Sequence, residues 1–397
     1  MSCARSECSR LLWLNKAKNG GGSMESSSKR KTVRLCVITA LISVLVTLGL
    51  CSYLVISYTP IAKVYEVLRV LDQAYYKDFD KTSLMEGAPR GVVSALGDPY
   101  TTYMTKKEWT EFYITTSGEY SGVGITIGVK DGKITVVAPM KGTPADKAGI
   151  KANDIILSVD GKDVATSDEA ASLIRGPAGS EVSISVYRNG ETLEFVLVRE
   201  NIVIPAVNYE MKEGTIGYIE LITFSENAAV ETSNALKDLK AQGAQAIILD
   251  LRYNGGGLLD KCIDIANLFV PKGTVVTISG RKFEKTSFNS SGTGLGMPLF
   301  VLVNEGTASA SEILAGAIQD YEVGTLIGKT TFGKGLVQNS YELSDGSYVK
   351  VTIAEYLTPK GRSIHGIGLE PDVIIEGDEE QLAKALELAK AEINRTF

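Results

Sequence analysis

The chain has 397 residues, 44% hydrophobic and 22% charged, a globular composition long enough for two or three domains. Its net charge is −6, but eight Lys/Arg against two acids put +6 on residues 1–34 and leave −12 for everything after. An acidic body argues against nucleic acid as a partner. One histidine, and one cysteine beyond residue 58, exclude a Cys/His metal site and an internal disulfide there, and nothing points to a cofactor.

In chain order, the first 23 residues read as an irregular tail, with Met24 a candidate start. "LCVITALISVLVTLGLCSYLVISY", residues 35–58, carries no charge and is long enough to span ~30 Å of hydrocarbon. The preceding "KRKTVR" should stay cytoplasmic, which puts residues 60–397 outside a cell membrane as the extracytoplasmic part of a single-pass protein. No A-x-A site follows, and Leu50 is too large to precede a lipoprotein cysteine at Cys51, so an uncleaved anchor is expected. Residues 61–113 read as helical, with Ile61, Val64, Leu68 and Leu71 on one face, until Gly97 and Pro99 break the pattern. From about 115 the period becomes that of strands. "GVGITIGVKDGKITVVAPM" is a hairpin around "KDGK", and "SEVSISVYRNGETLEFVLVRE" another around "RNG".

This β-rich module, expected over 115–200, resembles a PDZ domain in "SGVGITI" (121–127), "TPADKAGI" (143–150) and "DIILSVDGKDV" (154–164). A PDZ domain adds a chain terminus as an extra strand and holds its carboxylate on loop N–H groups. The resemblance places that loop and strand at Gly122, Val123, Gly124 and Ile125, and implies partners with free, apolar C-termini.

After Asn201 strands alternate with helices: "TIGYIEL", "ENAAVETSNALKDLKAQ", "AQAIILDLRYNGGG", "LLDKCIDIANLFV", "TVVTIS", "PLFVLVN" and "SEILAGAIQDY". This order predicts an α/β domain with a mainly parallel sheet over 201–375. The closing "DEEQLAKALELAKAEI", within 376–397, is an amphipathic helix with Leu382, Leu386, Ala389 and Ile393 in register. Its face suits the core, and it is also a candidate homodimer contact.

"VNEGTASASEILAGAIQD" (303–320) places Thr307, Ser309 and Ser311 between a strand and a helix. Ser309 with Glu312 makes a Ser-x-x-Glu capping box, worth about 1 kcal/mol. The same position suits a nucleophile, because α/β sheets bind ligands where strand ends meet helix starts, and free amides there stabilise an oxyanion. A serine needs a base. The single histidine, His365, sits in a Gly-rich loop and reads as peripheral. Lys334 in "TTFGKGLVQ" has small and apolar neighbours and no nearby acid, the setting in which burial neutralises a lysine; a charged turn residue is the competing reading. In a regular strand Lys334, Leu336 and Gln338 share a face, with ends about 13 Å apart, so contact between Lys334 and Gln338 requires a bend at Gly333 and Gly335. "ILDLRYNGGGLLD" (248–260) offers glycines for close backbone approach to a ligand.

Six blocks in order resemble the carboxy-terminal processing peptidases, serine proteases with a Ser-Lys dyad: "SALGDPYTTYM", the PDZ segment, "LDLRYNGGGLL", "VLVNEGTASASEILAGA", "GKTTFGKGLVQ" and "TPKGRSIHGIGLEPDV". The resemblance implies an α/β protease core carrying an inserted PDZ domain behind an N-terminal transmembrane helix. It makes Ser309 the nucleophile, Lys334 the general base and Gln338 the residue that positions it. The oxyanion hole would use the Ala310 N–H and a glycine of the "NGGG" run, first of all Gly256. The family usually reads R-N-N-P-G-G, and Tyr253 and Gly255 depart from it, so the choice stays open within 255–257. The alternative function is a catalytically silent PDZ scaffold that binds protein C-termini.

Overall fold

The computed structural model describes residues 22–58 and 60–396, in two units, 1–88 and 89–397. Arg5, Arg10, Lys16 and Lys18 of the expected basic tail lie outside the described residues. In the first unit a continuous helix, Gly22–Tyr58, contains the 23-residue stretch Thr32–Leu54, with mean hydropathy 2.4 and none of it buried. It is long and apolar enough to cross a membrane. Thr39 and Thr47 donate their hydroxyls to the carbonyls of Leu35 and Ser43, each at 2.8 Å, so these polar groups are satisfied within the helix, as a lipid environment demands. Helix Pro60–Ala74 follows.

In the second unit, helix Lys106–Ser117 starts at a capping box between Thr105 and Glu108 and ends on Gly118 with φ +73°. Strands Glu119–Gly122 and Glu200–Val203 then pair antiparallel, bringing the incoming and outgoing chain of the β-rich module side by side. The module holds a six-stranded sheet of Ile125–Lys130, Lys133–Pro139, Ile155–Val159, Glu181–Arg188 and Glu191–Val198, with the short Lys162–Asp163 on Ile155–Val159. Its two-residue turns use Asp131-Gly132 (φ +51°, +72°) and Asn189-Gly190 (φ +51°, +95°), residues that tolerate the left-handed backbone of a type I′ turn. It has its own core of Val123, Val136, Val159, Val182 and Ile184.

The larger core is built on two sheets. The first runs in the order Val207–Lys212, Ile216–Leu221, Ala246–Asp250, Leu299–Val303, Thr325–Gly328, Val373–Ile374. Its first pair is antiparallel and the other four pairs are parallel. Helices Ala228–Ala241, Leu259–Phe269 and Ala310–Asp320 cover one face through Leu239, Phe269 and Leu314. Helix Asp378–Thr396 covers the other through Ala385 and Ala389, with Leu382, Leu386 and Ile393 packed beside them.

The second sheet is antiparallel. Strand Tyr348–Leu357 pairs with Thr102–Met104, Pro271–Gly280 and Leu336–Glu342, and Phe283–Thr293 completes it. Thr274–Ser279, the "TVVTIS" expected within the strand–helix alternation, therefore leaves the parallel sheet and forms a hairpin. The reason is local: a strand partner follows it directly, across a tight turn, and no crossover helix intervenes.

Candidate active site

Strand Leu299–Val303, wholly buried, delivers the chain to the turn that precedes helix Ala310–Asp320. Two side chains shape this turn. Asn304 Oδ1 accepts from the N–H groups of Tyr253 and Gly306, both at 3.0 Å. Thr307 donates its hydroxyl to Leu251 O at 2.8 Å and accepts from Asn304 N at 3.0 Å, so it is buried and fully engaged. Ser311 donates to Asn254 O at 2.9 Å and is likewise buried. Of the three hydroxyls, Ser309 alone stays half-buried, with φ +56° and ψ −117° at the helix start. Serine rarely adopts such a backbone, and strain of this kind clusters at functional sites.

Glu312 holds the turn in place. Its carboxylate is fully buried, and Oε2 accepts from Ser309 N and from Lys334 N, each at 2.9 Å. Oε1 accepts from Thr331 Oγ1 at 2.5 Å and Gly333 N at 2.7 Å. The glutamate of the expected capping box thus reaches back to Ser309 and also clamps the lysine loop, through four donors that satisfy a buried charge. Among the described residues no hydrogen bond joins Ser309 Oγ to Lys334 Nζ. The two residues are linked through Glu312, and through Phe332 N, which donates to Thr307 O at 3.0 Å.

Lys334 is half-buried, and its ammonium faces the Tyr100 ring at 5.3 Å from the centroid. Its flanking glycines are required by close packing. A Cβ on Gly333, at φ +86°, would sit 2.9 Å from Gly368 N, and one on Gly335 would sit 2.8 Å from His365 N. His365 itself is exposed and abuts Gly335 through its backbone and Cβ. Burial, and next the positive charge of Lys350, hold the Lys334 amine below the usual lysine range; the Glu312 carboxylate acts in the opposite direction.

Gln338 lies on strand Leu336–Glu342, where a bulge places both Val337 and Gln338 opposite inward residues, Ala354 and Thr352. Leu336 pairs with Glu355, so Leu336 and Gln338 do not share the face that simple alternation assigns them. The bulge turns Gln338 to the inward face, and among the described residues no hydrogen bond joins its side chain to Lys334. Among the described residues, Gln338 Nε2 is buried without a hydrogen-bond partner.

Gly256, with φ +98°, packs against the Ser309 turn: a Cβ there would come within 2.8 Å of Ala308 O and 2.9 Å of Ala310 N. Its own N–H, the first choice for the oxyanion hole, donates to Asn254 Oδ1 at 2.9 Å and is therefore engaged within the turn. Asn254 is a hub that sequence reasoning missed. It is buried, donates Nδ2 to Leu221 O at 2.6 Å, and accepts at its carbonyl from Ala308 N and Ser311 Oγ. Tyr356 was missed as well: buried on strand Tyr348–Leu357, it donates its hydroxyl to Ser309 O at 3.2 Å. An asparagine just past a strand and directly before a glycine run was the available signal for the first. The second had none.

In the β-rich module, Gly122 ends its strand, Val123 is fully buried, and Ile125 opens strand Ile125–Lys130 at a free edge of its sheet. With its side chain in the core, Val123 presents only backbone to a ligand. Gly124, at φ +76°, lies against Thr143, where a Cβ would come within 2.4 Å of that side chain. The unpaired edge is the feature that strand addition uses.

Compared with known proteins, residues 215–375 match peptidase family S41, residues 121–197 match the PDZ domain, and residues 52–108 match the activating protease CtpB N-terminal domain. The chain is 43% identical over 296 residues to the carboxyl-terminal-processing protease of Synechocystis, covering 72% of this chain and 69% of that protein. It is 40% identical over 319 residues to the carboxy-terminal processing protease CtpA of Bacillus subtilis, covering 79% and 68%. Among solved structures, the photosystem II D1 C-terminal processing protease matches at 32% identity with a TM-score of 0.47, over 84% of this chain and 92% of that one.

Proposed function

The chain belongs to the carboxyl-terminal processing peptidases of family S41, serine-type proteases here carrying a PDZ domain, and from that premise we propose a membrane-anchored endopeptidase that cleaves through a Ser309–Lys334 dyad. The observation that carries the reading is the Glu312 clamp. One buried carboxylate holds the backbone N–H of both Ser309 and Lys334, fixing nucleophile and base in a common frame.

In the proposed reaction, Ser309 Oγ attacks the scissile carbonyl as its proton passes to the neutral Lys334 amine. The developing oxyanion takes a hydrogen bond from the Ala310 N–H, the first helical amide, and another from a neighbour of Gly256 in the 255–257 run. Lys334 then returns the proton to the leaving amine, and water hydrolyses the acyl-enzyme by the same relay in reverse. Gln338 positions the base. Its free Nε2–H groups suit a neutral amine, which accepts a hydrogen bond, and not an ammonium, which cannot. Since only the neutral amine serves, activity rises with pH through the lowered Lys334 titration.

Upstream, the free edge of Ile125–Lys130 adds the substrate's C-terminal tail as a strand, with Gly122, Val123, Gly124 and Ile125 receiving an apolar terminus. The apolar N-terminal helix anchors the enzyme with its peptidase core on the extracytoplasmic side. Pairing of two copies through the helical segments remains part of this reading. The silent-scaffold alternative is not favoured, because the relatives are proteases.

The test is hydrolysis of an unfolded polypeptide with a free C-terminus, such as reduced casein. Ser309→Ala and Lys334→Ala should each fall to background, since removing either member disables the unit. Turnover by Ser309→Ala sinks the proposal.

A further inference from the structure

Resting on the reading of Lys334 as the base, we propose that Tyr100 is a positioning residue for the same reaction: the face of its ring receives the ammonium that forms when Lys334 takes the Ser309 proton. Lys334 Nζ lies over that ring at 5.3 Å from its centroid, within the range of a cation–π contact. Tyr100 belongs to "SALGDPYTTYM", a block that lies outside the peptidase segment 215–375.

A tightly bonded turn delivers the ring. Asp98 Oδ1 accepts from Tyr100 N at 2.9 Å, and Oδ2 accepts from Thr101 Oγ1 at 2.5 Å. Thr101 is buried, and its hydroxyl oxygen accepts in turn from Thr352 N at 3.0 Å. The next residues, Thr102–Met104, pair with residues 348–350 at one edge of strand Tyr348–Leu357. At the other edge Gln338 stands opposite Thr352. One position of the strand therefore carries the Tyr100 turn on one side and Gln338 on the other. Burial raises the Asp98 carboxyl, but the Thr101 hydroxyl, the neighbouring Thr352 side chain and two backbone N–H groups outweigh it and hold the group below the usual carboxylate range. Asp98 thus stays charged and committed to the turn.

An aromatic partner suits a base. A carboxylate on Nζ would keep Lys334 protonated at neutral pH, unable to accept a proton. An aromatic face attracts a cation less strongly and leaves a neutral amine nearly untouched. Its attraction therefore grows as charge develops, in the step where Ser309 Oγ bonds to the carbonyl carbon and its proton moves to Nζ. Among the described residues the Lys334 amine makes no ion pair with a carboxylate. Other titratable groups face it from each packed element. Glu312, on helix Ala310–Asp320, favours the ammonium, but its oxygens are taken by four donors. Lys350, two positions before Thr352, opposes it, with its own amine 4.7 Å from the centroid of Phe112. Glu355, opposite Leu336, and His365, beyond Gly335, are exposed.

The experiment measures kcat and the pH dependence of kcat/KM on reduced casein, using the full chain in detergent with active-site titration. Tyr100→Leu keeps an apolar cover but removes the π face. It should lower kcat by about 3- to 10-fold and move the acidic limb to lower pH by about 0.5–1 unit, because an ammonium without its partner releases the proton sooner. Tyr100→Phe keeps the face and should restore the parent midpoint. An unmoved or raised midpoint in Tyr100→Leu reduces the ring to packing and overturns the proposal. So does a Tyr100→Phe enzyme that behaves like Tyr100→Leu, since the hydroxyl would then be the active part. In either case an inactive Lys334→Ala leaves the dyad standing, whereas a Lys334→Ala enzyme with the parent's profile overturns the dyad itself.

Discussion

The proposed nucleophile and base arise on sheets of different construction. Ser309 stands where a parallel sheet ends in a helix start, a place that offers unpaired amides but few side chains. Lys334 and Gln338 lead into an antiparallel sheet, whose bulge and inward row of Lys350, Thr352 and Tyr356 offer side chains. In the proposed mechanism, oxyanion stabilisation thus belongs to one sheet and proton transfer to the other. Catalysis requires the two in register, and they meet at Glu312, at the Phe332–Thr307 backbone bond and at Tyr356.

The largest break in this register should come at Glu312. Glu312→Gln keeps the shape but turns an NH2 group towards two of four donors, one pair of which belongs to the base loop. The folded protein should lose about 2–4 kcal/mol, and kcat per folded molecule should fall by roughly 100-fold as the lysine drifts from the serine. Thermal melts together with active-site titration separate the two effects. If stability drops while kcat per folded molecule holds, Glu312 is a structural cap and the sheets find their register without it.

A smaller break lies within the nucleophile's own half. Gly256→Ala imposes a side chain at φ +98° and presses it on Ala308 O and Ala310 N, backbone that has no rotamer by which to yield. The strain costs about 1–3 kcal/mol. It displaces the proposed oxyanion amide, so kcat should fall by about 10- to 100-fold with KM little changed. A change confined to KM would put Gly256 in substrate binding instead.

The same contrast explains what was legible in the sequence. "TASASEIL" and "NGGG" lie at strand ends, where turn residues, caps and glycines carry local signals, and the PDZ turns "KDGK" and "RNG" are of the same kind. The antiparallel half is assembled from pairings distant in sequence. Lys350 and Tyr356 bear on Ser309 and Lys334 only because Tyr348–Leu357 pairs with Leu336–Glu342, and Thr102–Met104 joins the same strand from some 250 residues upstream. Nothing in the local pattern marked the bulge at Val337/Gln338, and Thr274–Ser279 read as one more strand of the alternation. Glu312 was visible as a capping residue. Its hold on Thr331, Gly333 and Lys334 was not, because those donors lie 19–22 residues further along the chain. Gly256 was readable as a close-approach glycine, but the direction of its N–H depends on the Asn254 side chain.

The mildest break is Tyr356→Phe, which cuts one joint and leaves both sheets intact. The Tyr356 ring is buried, so the phenylalanine fills the same space and opens no cavity. The acceptor is not orphaned, because Ser309 O also accepts from Ile313 N at 3.0 Å within the helix. The cost to folding should therefore stay near the net value of one neutral hydrogen bond, about 0.5–1.5 kcal/mol. Activity carries more information. The hydroxyl bears on the carbonyl of a residue held at φ +56°, a backbone that relaxes readily when a restraint is removed. A fall in kcat of about 3- to 10-fold, with KM and the pH midpoint unchanged, would show the antiparallel sheet steadying the nucleophile by contact, independently of the charges that set the base. A shifted midpoint would instead tie Tyr356 to the lysine half.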